Sequence, residues 1–77
     1  MLKFISKEWI SEDEVEGLLL LNGKTELTFY RWREDDEWMG LTVYVEDKFN
    51  IEEVEEVDGI NVWDIYDEVI SVLDREL

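Results

Sequence analysis

The sequence contains no cysteine, no histidine and no proline. Without cysteine there is no disulfide framework, no thiolate metal site and no cysteine nucleophile. Without histidine the usual zinc ligand and the usual general base are missing. Basic residues are scarce: seven Lys+Arg stand against 22 Asp+Glu, a formal net charge of −15. The longest apolar run is Leu18 to Leu21, far short of the roughly 20 residues that span a bilayer. The opening Met1-Leu2-Lys3-Phe4-Ile5-Ser6 has no apolar stretch of secretory-signal length. Together these absences predict a cytoplasmic protein with no membrane partner, no cofactor and no bound metal.

What is present predicts a folded chain. Hydrophobic residues make up 45% and aromatic residues 13% of the 77 positions, too much for a solvated acidic tail. The length suits a single domain, 1–77, with one small core. The charge is unevenly placed. Residues 1 to 33 carry six acids and five bases, whereas residues 34 to 77 carry sixteen acids and only Lys48 and Arg75 as bases. An asymmetry of this kind points to a dedicated face.

The local patterns predict an α+β protein. Leu2 to Ile5 reads as an edge strand. Ser11 with Glu14 three residues on has the form of a capping box, flanked by Ile10 and Val15 as a hydrophobic staple, and predicts a helix over about 12–21 that stops at Asn22-Gly23. A rival reading makes Leu18 to Leu21 a buried strand and Asn22-Gly23 a hairpin turn. Residues 25–33 and 38–46 alternate apolar and polar types, with β-branched and aromatic residues prominent, and predict a β-hairpin closed by Glu34-Asp35-Asp36-Glu37. Ile51, Val54 and Val57 recur every third residue and predict a short helix over 51–57, broken at Asp58-Gly59. Val62, Ile65, Tyr66, Val69, Ile70, Leu73 and Leu77 trace one face of a helix over 61–76, with Asn61 as its N-cap. A small antiparallel sheet packed by helices on one side follows.

Enzymatic chemistry finds little support. A glycosidase-type carboxylate pair needs a cleft at a set separation, and 77 residues leave little material to wall one. An EF-hand loop aligned on Gly59 puts Val54 at its first ligand position and Ile65 at the twelfth, where carboxylates are required. No phosphate-cradling glycine loop is present, and a chain of this charge repels phosphate. A non-enzymatic protein that makes no direct contact with nucleic acid is expected.

The same charge suits a protein that stands in for nucleic acid. Duplex DNA carries about one charge per 1.7 Å of axis, so fifteen charges correspond to roughly 25 Å of duplex. A compact domain of this length is about 30 Å across. Acids one helical turn apart lie about 5–6 Å from each other, and acids two apart on a strand about 6.5–7 Å, near the spacing of neighbouring phosphates. Asp64, Asp67, Glu68 and Asp74 form such a row on the last helix. Glu52, Glu53, Glu55 and Glu56, with Asp58 after them, make a second cluster. Glu34, Asp35, Asp36 and Glu37 make a third with Glu46 and Asp47. Trp38 and Trp63 are candidate anchors for a partner. Each of these residues also has an ordinary role: acidic helix faces are usually solvated, and tryptophans usually pack. Ordinary solubility, however, needs a net charge of only about 2 to 8 in a small domain.

In size and charge, through runs such as Glu34-Asp35-Asp36-Glu37 and Glu52-Glu53-Val54-Glu55-Glu56, the chain resembles the small acidic phage-encoded DNA mimics: anti-restriction proteins, uracil-DNA glycosylase inhibitors and many anti-CRISPR proteins. The resemblance is one of composition and carries no family site residue across. It implies an inhibitor that docks on the basic nucleic-acid-binding groove of a host defence or DNA-processing protein. An immunity protein or antitoxin that caps a basic toxin is the alternative, and a subunit whose acidity only maintains solubility is a third.

Overall fold

Val15, Leu19 and Leu21, two to four residues apart on one strand face, are almost wholly buried. That period-2 burial sets the architecture. The computed structural model describes all residues, 1–77. Its strands are β1 (Leu2–Ser11), β2 (Glu14–Leu21), β3 (Thr25–Glu34), β4 (Glu37–Val45) and β5 (Phe49–Asn50). They form one antiparallel sheet in the order β1-β2-β3-β4-β5. A 3₁₀ turn (Ile51–Glu53) and a small hairpin, β6 (Glu56–Val57) with β7 (Ile60–Asn61), lead into helix α1 (Val62–Glu76). The fold is α+β, as the sequence predicts, with the helix on one face of the sheet.

The helix expected over 12–21 is instead the turn after β1 and all of β2. The short-range chemistry read as a capping box is present but closes a hairpin. Ser11 Oγ accepts from the Asp13 N–H at 3.2 Å and donates to Glu14 Oε1 at 3.1 Å. Alternating burial of Val15, Leu19 and Leu21 then favours the strand over the helix. Asn22-Gly23 is the hairpin turn of the rival reading, both residues having positive φ. Glycine is required within β2 as well. A Cβ at Gly17 would stand 2.1 Å from the Ser6 carbonyl oxygen and 2.7 Å from the Phe29 ring.

The edge strand expected over 2–5 extends to Ser11, with register shifts around Ile5 and Ile10. Those two unpaired isoleucines are exposed. Bulges of this kind twist an edge strand away from pairing with another chain. The predicted 25–33/38–46 hairpin is present as β3 and β4, paired from Leu27–Val45 to Glu34–Glu37. The helix expected over 51–57 is confined to the 3₁₀ turn. Asn50 caps it by accepting from the Glu52 N–H at 2.9 Å. Val54 is extended, and residues 56–57 pair with 60–61 across Asp58-Gly59. Both turn residues have positive φ, 54° and 79°, as a type I′ turn demands. Ile51 and Val57 are buried, so the three-residue spacing marks two anchors of a meandering segment.

Helix α1 matches its expectation to within one residue. The Asn61 side chain accepts from the Trp63 N–H at 2.9 Å. Val62, Ile65, Val69, Val72 and Leu73 are buried against the sheet. They join Leu2, Val15, Leu19, Leu27, Phe29 and Val43 in one core. Fifteen helical residues span about 22 Å, whereas a ten-residue strand runs about 33 Å. The uncovered end of this face is filled by side chains. Trp9 and Trp38 stack at 6.0 Å, the Arg33 guanidinium lies 4.9 Å from the Trp9 ring, and that of Arg31 lies 4.4 Å from Trp38.

Candidate functional site

Hairpin connectivity decides where the acids go. In an up-and-down sheet, the turns after β1 and β3 lie at one end and the turns after β2 and β4 at the other. Glu34, Asp35, Asp36 and Glu37 therefore share an end with Glu12 and Asp13. Glu46 and Asp47, expected to join them, sit at the opposite end, about 30 Å away along the strands. The helix runs between these poles. Near its N-terminus, Val62 N–H bonds to the Glu55 carbonyl at 3.1 Å. Near its C-terminus, Asp74 meets Arg31 at 2.9 Å and Lys7 Nζ donates to the Glu76 carbonyl at 2.8 Å. Glu52, Glu53, Glu55 and Glu56 thus border the helix N-terminus, and Asp67 and Asp74 continue along one helical ridge at i and i+7 from it. The molecule is 36 Å long, a length over which duplex DNA carries about twenty charges.

Few of these carboxylates are neutralised. The ion pairs are Lys24–Asp58 at 3.8 Å, Arg31–Asp74 at 2.9 Å, Arg33–Asp13 at 3.5 Å and Lys48–Glu46 at 3.8 Å. Three further acids hold neutral donors. Glu14 accepts from Tyr30 and Ser11, Asp47 from Thr28 at 3.1 Å, and Glu68 from the Leu2 N–H at 3.0 Å. Removing these seven leaves fifteen of the 22 acids without a side-chain partner. Ten of the fourteen acids singled out from the sequence belong to that free set: Glu34, Asp35, Asp36, Glu37, Glu52, Glu53, Glu55, Glu56, Asp64 and Asp67. The other four, Glu46, Asp47, Glu68 and Asp74, are tied into the fold by the contacts just described.

The two candidate tryptophans differ. Trp38 is half-buried, stacked on Trp9 and covered by Arg31, so it belongs to the plug at the end of the core. Trp63 is 57% exposed in the first turn of α1, with its ring edge-on to Tyr66 at 6.2 Å. It stands between the Glu52–Glu56 segment and Asp67, one helical turn on. Of the pair, Trp63 has the surface an anchor needs.

Tip geometry adds a further observation. Asp35 and Asp36 both adopt positive φ, 52° and 65°, between the paired Glu34 and Glu37. This is a type I′ turn, in which Asn-Gly or Asp-Gly is preferred. The turn at 58–59 has that preferred pair; the tip instead has a second aspartate in the left-handed region, at a cost of about 1 kcal/mol.

Sequence reasoning missed a group on the opposite sheet face. Glu14 and Glu16 flank Tyr30, whose hydroxyl donates to Glu14. That bond, with a second from Ser11, holds the Glu14 carboxyl below its ordinary range. It also pushes the Tyr30 hydroxyl up, with burial and the charges of Glu14 and Glu16 acting the same way. Tyr66 is raised mainly by burial and by the charge of Glu52, against an opposing effect of Arg31. The Glu14, Glu16, Leu18, Leu20 alternation was the available signal for the missed face. It becomes visible once residues 14–21 are read at period 2.

No set of three acids is placed to hold a metal ion, and no helix is long and apolar enough to cross a membrane. Comparison with protein-family models, with curated proteins and with solved structures finds no match to this chain.

Proposed function

We propose that this protein is an inhibitor that occupies the nucleic-acid-binding groove of a basic protein, its free carboxylates standing where phosphates would. A host defence or DNA-processing protein, of the kind that anti-restriction and anti-CRISPR proteins block, is the target class. The observation that carries this reading is the set of ten unpartnered candidate carboxylates, from the Glu34–Glu37 tip to the Glu52–Glu56 segment and the first half of the helix, on a scaffold 36 Å long. Self-repulsion among them opposes folding. The Asp35-Asp36 turn adds backbone strain, as Glu46-Asp47 does at the other end of the sheet. Both costs make sense where the anions meet a partner's Lys and Arg side chains. Trp63 supplies apolar contact at the centre of the Glu52, Glu55 and Asp67 surround.

Electrostatic steering makes association fast and strongly salt-dependent. The test is a binding screen of the full chain against basic nucleic-acid-binding proteins at low and high salt, with a duplex DNA oligonucleotide as competitor. The expected result is a complex that forms at low salt and that DNA displaces. A complex that persists with DNA still bound would place the partner contact outside the groove. A partner that is a toxin with no nucleic-acid groove would favour the immunity-protein alternative.

A further inference from the structure

The helix covers one face of the sheet and nothing covers the other. On that open face Leu18, Thr28, Tyr30 and Thr42 are half-buried, while Trp32 and Tyr44 are exposed. A depression of about 770 Å³ lies across it, its lining including Lys7, Glu8, Glu16, Tyr30, Tyr44 and Asp47. Glu8 and Glu16 are directly opposite each other on β1 and β2. Like charges in that position destabilise a sheet, and neither has an ion-pair partner. The nearest base in sequence, Lys7, sends its ammonium to the other side of β1, onto the Glu76 carbonyl at 2.8 Å. Asp47 and Glu14 are already held by Thr28 and Tyr30, which fixes the floor and leaves Glu8 and Glu16 free.

The occupant can be argued by elimination. A second copy would bring another −15 charges to an already anionic face. Nucleic acid and anionic lipid are repelled for the same reason. A neutral apolar partner would bury two carboxylates without compensation, which is strongly unfavourable. A guanidinium suits the site on three counts. It is planar and stacks on tyrosine rings, it pairs with carboxylates through a fork of donors, and it is less strongly hydrated than an ammonium. The depression is larger than one side chain and fits a short extended segment.

We propose that the open sheet face is a second docking surface, for an arginine-bearing peptide segment of a protein partner, with a guanidinium between Glu8 and Glu16 beside Tyr30 and the rest of the segment running across Thr28 to Tyr44. This surface is separate from the acids invoked above, and its existence does not rest on the inhibitor reading.

The test is amide chemical-shift mapping of the ¹⁵N-labelled full chain titrated with an arginine-rich peptide of about six residues at about 0.15 M salt. The control peptide carries citrulline, the neutral isostere, in place of arginine. Saturable shifts confined to residues 6–8, 16–18, 28–30 and 42–47, absent with citrulline, are expected. The double variant E8Q/E16Q should weaken binding about tenfold, and Y44S should weaken it through lost contact with the rest of the segment. E12Q/E76Q removes the same charge from other exposed sites and should change affinity by less than about threefold. Dispersed amide spectra report that each variant is folded, and E8Q/E16Q is expected to melt no lower than the parent. Shifts spread over all acidic segments, equal weakening by the two double variants, or binding of the citrulline peptide would each overturn the proposal. So would a dimer in sedimentation velocity whose formation Y44S abolishes, because the face would then belong to a second copy.

Discussion

The two faces of the sheet use the same strands differently. On the helix side, Val15, Leu19, Leu27 and Val43 are fully buried and the residues are almost all aliphatic. On the open side the strand partners are Glu16, Leu18, Thr28, Tyr30, Thr42 and Tyr44, none of them buried. One face is filled to support the fold, and the other stays amphipathic and available. Acids are excluded from the core face, except where Asp74 closes over Arg31, which is only 6% exposed.

Truncation on either side of the sheet gives the largest contrast. Leu73→Ala, in the centre of the core, is expected to destabilise by about 2–5 kcal/mol. Leu18→Ala on the open face should lose less than about 1 kcal/mol. Denaturant midpoints measure both, and equal losses would mean the open face is packed. Next comes Gly17→Ala. Its Cβ would stand 2.1 Å from the Ser6 backbone, so a loss of about 1–3 kcal/mol is expected. Gly40→Ala would meet the exposed Trp32 ring first, at 2.0 Å. It should cost less and appear as a red-shifted tryptophan emission. Asp36→Gly places the preferred residue in the type I′ tip and should stabilise by about 1 kcal/mol. A destabilised variant would contradict the turn assignment.

The smallest effects are electrostatic. Tyr30 and Tyr66 have hydroxyls raised above their unfolded value of 10.0. Their stabilising contribution is complete below that value and is lost as pH rises through the folded one. Alkaline titration should therefore show a loss of stability beginning above about pH 10. Tyr30→Phe should reduce the part that depends on Glu14. Glu14 has the opposite sign: its lowered carboxyl contributes above the unfolded range, and that contribution disappears as pH falls through the folded value. Glu16→Gln, which removes one member of a like-charged cross-strand pair, should raise stability by a few tenths of a kcal/mol, read as a small rise in thermal midpoint.

Legibility of the fold followed the range of the signal. The β3–β4 hairpin and α1 were readable because periodicity and local caps agree, as at Asn61 and in the Leu27, Phe29, Arg31 alternation. Residues 11–21 were misread because Ser11 and Glu14 make the same short-range bonds in a hairpin turn as in a helix start. Only burial of Val15 and Leu19 by distant strands separates the two. The 51–57 segment misled in the same way, since Ile51 and Val57 are buried by the sheet and α1 whatever conformation joins them. For the candidate surface, the sequence supplied the acids but not their partners. That Glu68 receives the Leu2 N–H, or that Asp74 holds Arg31, depends on contacts 66 and 43 residues apart. Trp38 and Trp63 looked alike in sequence and separate only when Arg31 and Trp9 close over the first.

The most direct test of the central claim is the salt dependence of partner binding after charge removal. The parent chain is compared with E52Q/E53Q/E55Q/E56Q and with D35N/D36N, each confirmed as folded. If the carboxylates replace phosphates, both variants bind more weakly and the slope of log affinity against log salt becomes shallower as charges are removed. Parent-like affinity and an unchanged slope in both variants would contradict the account and leave the acidity as a matter of solubility.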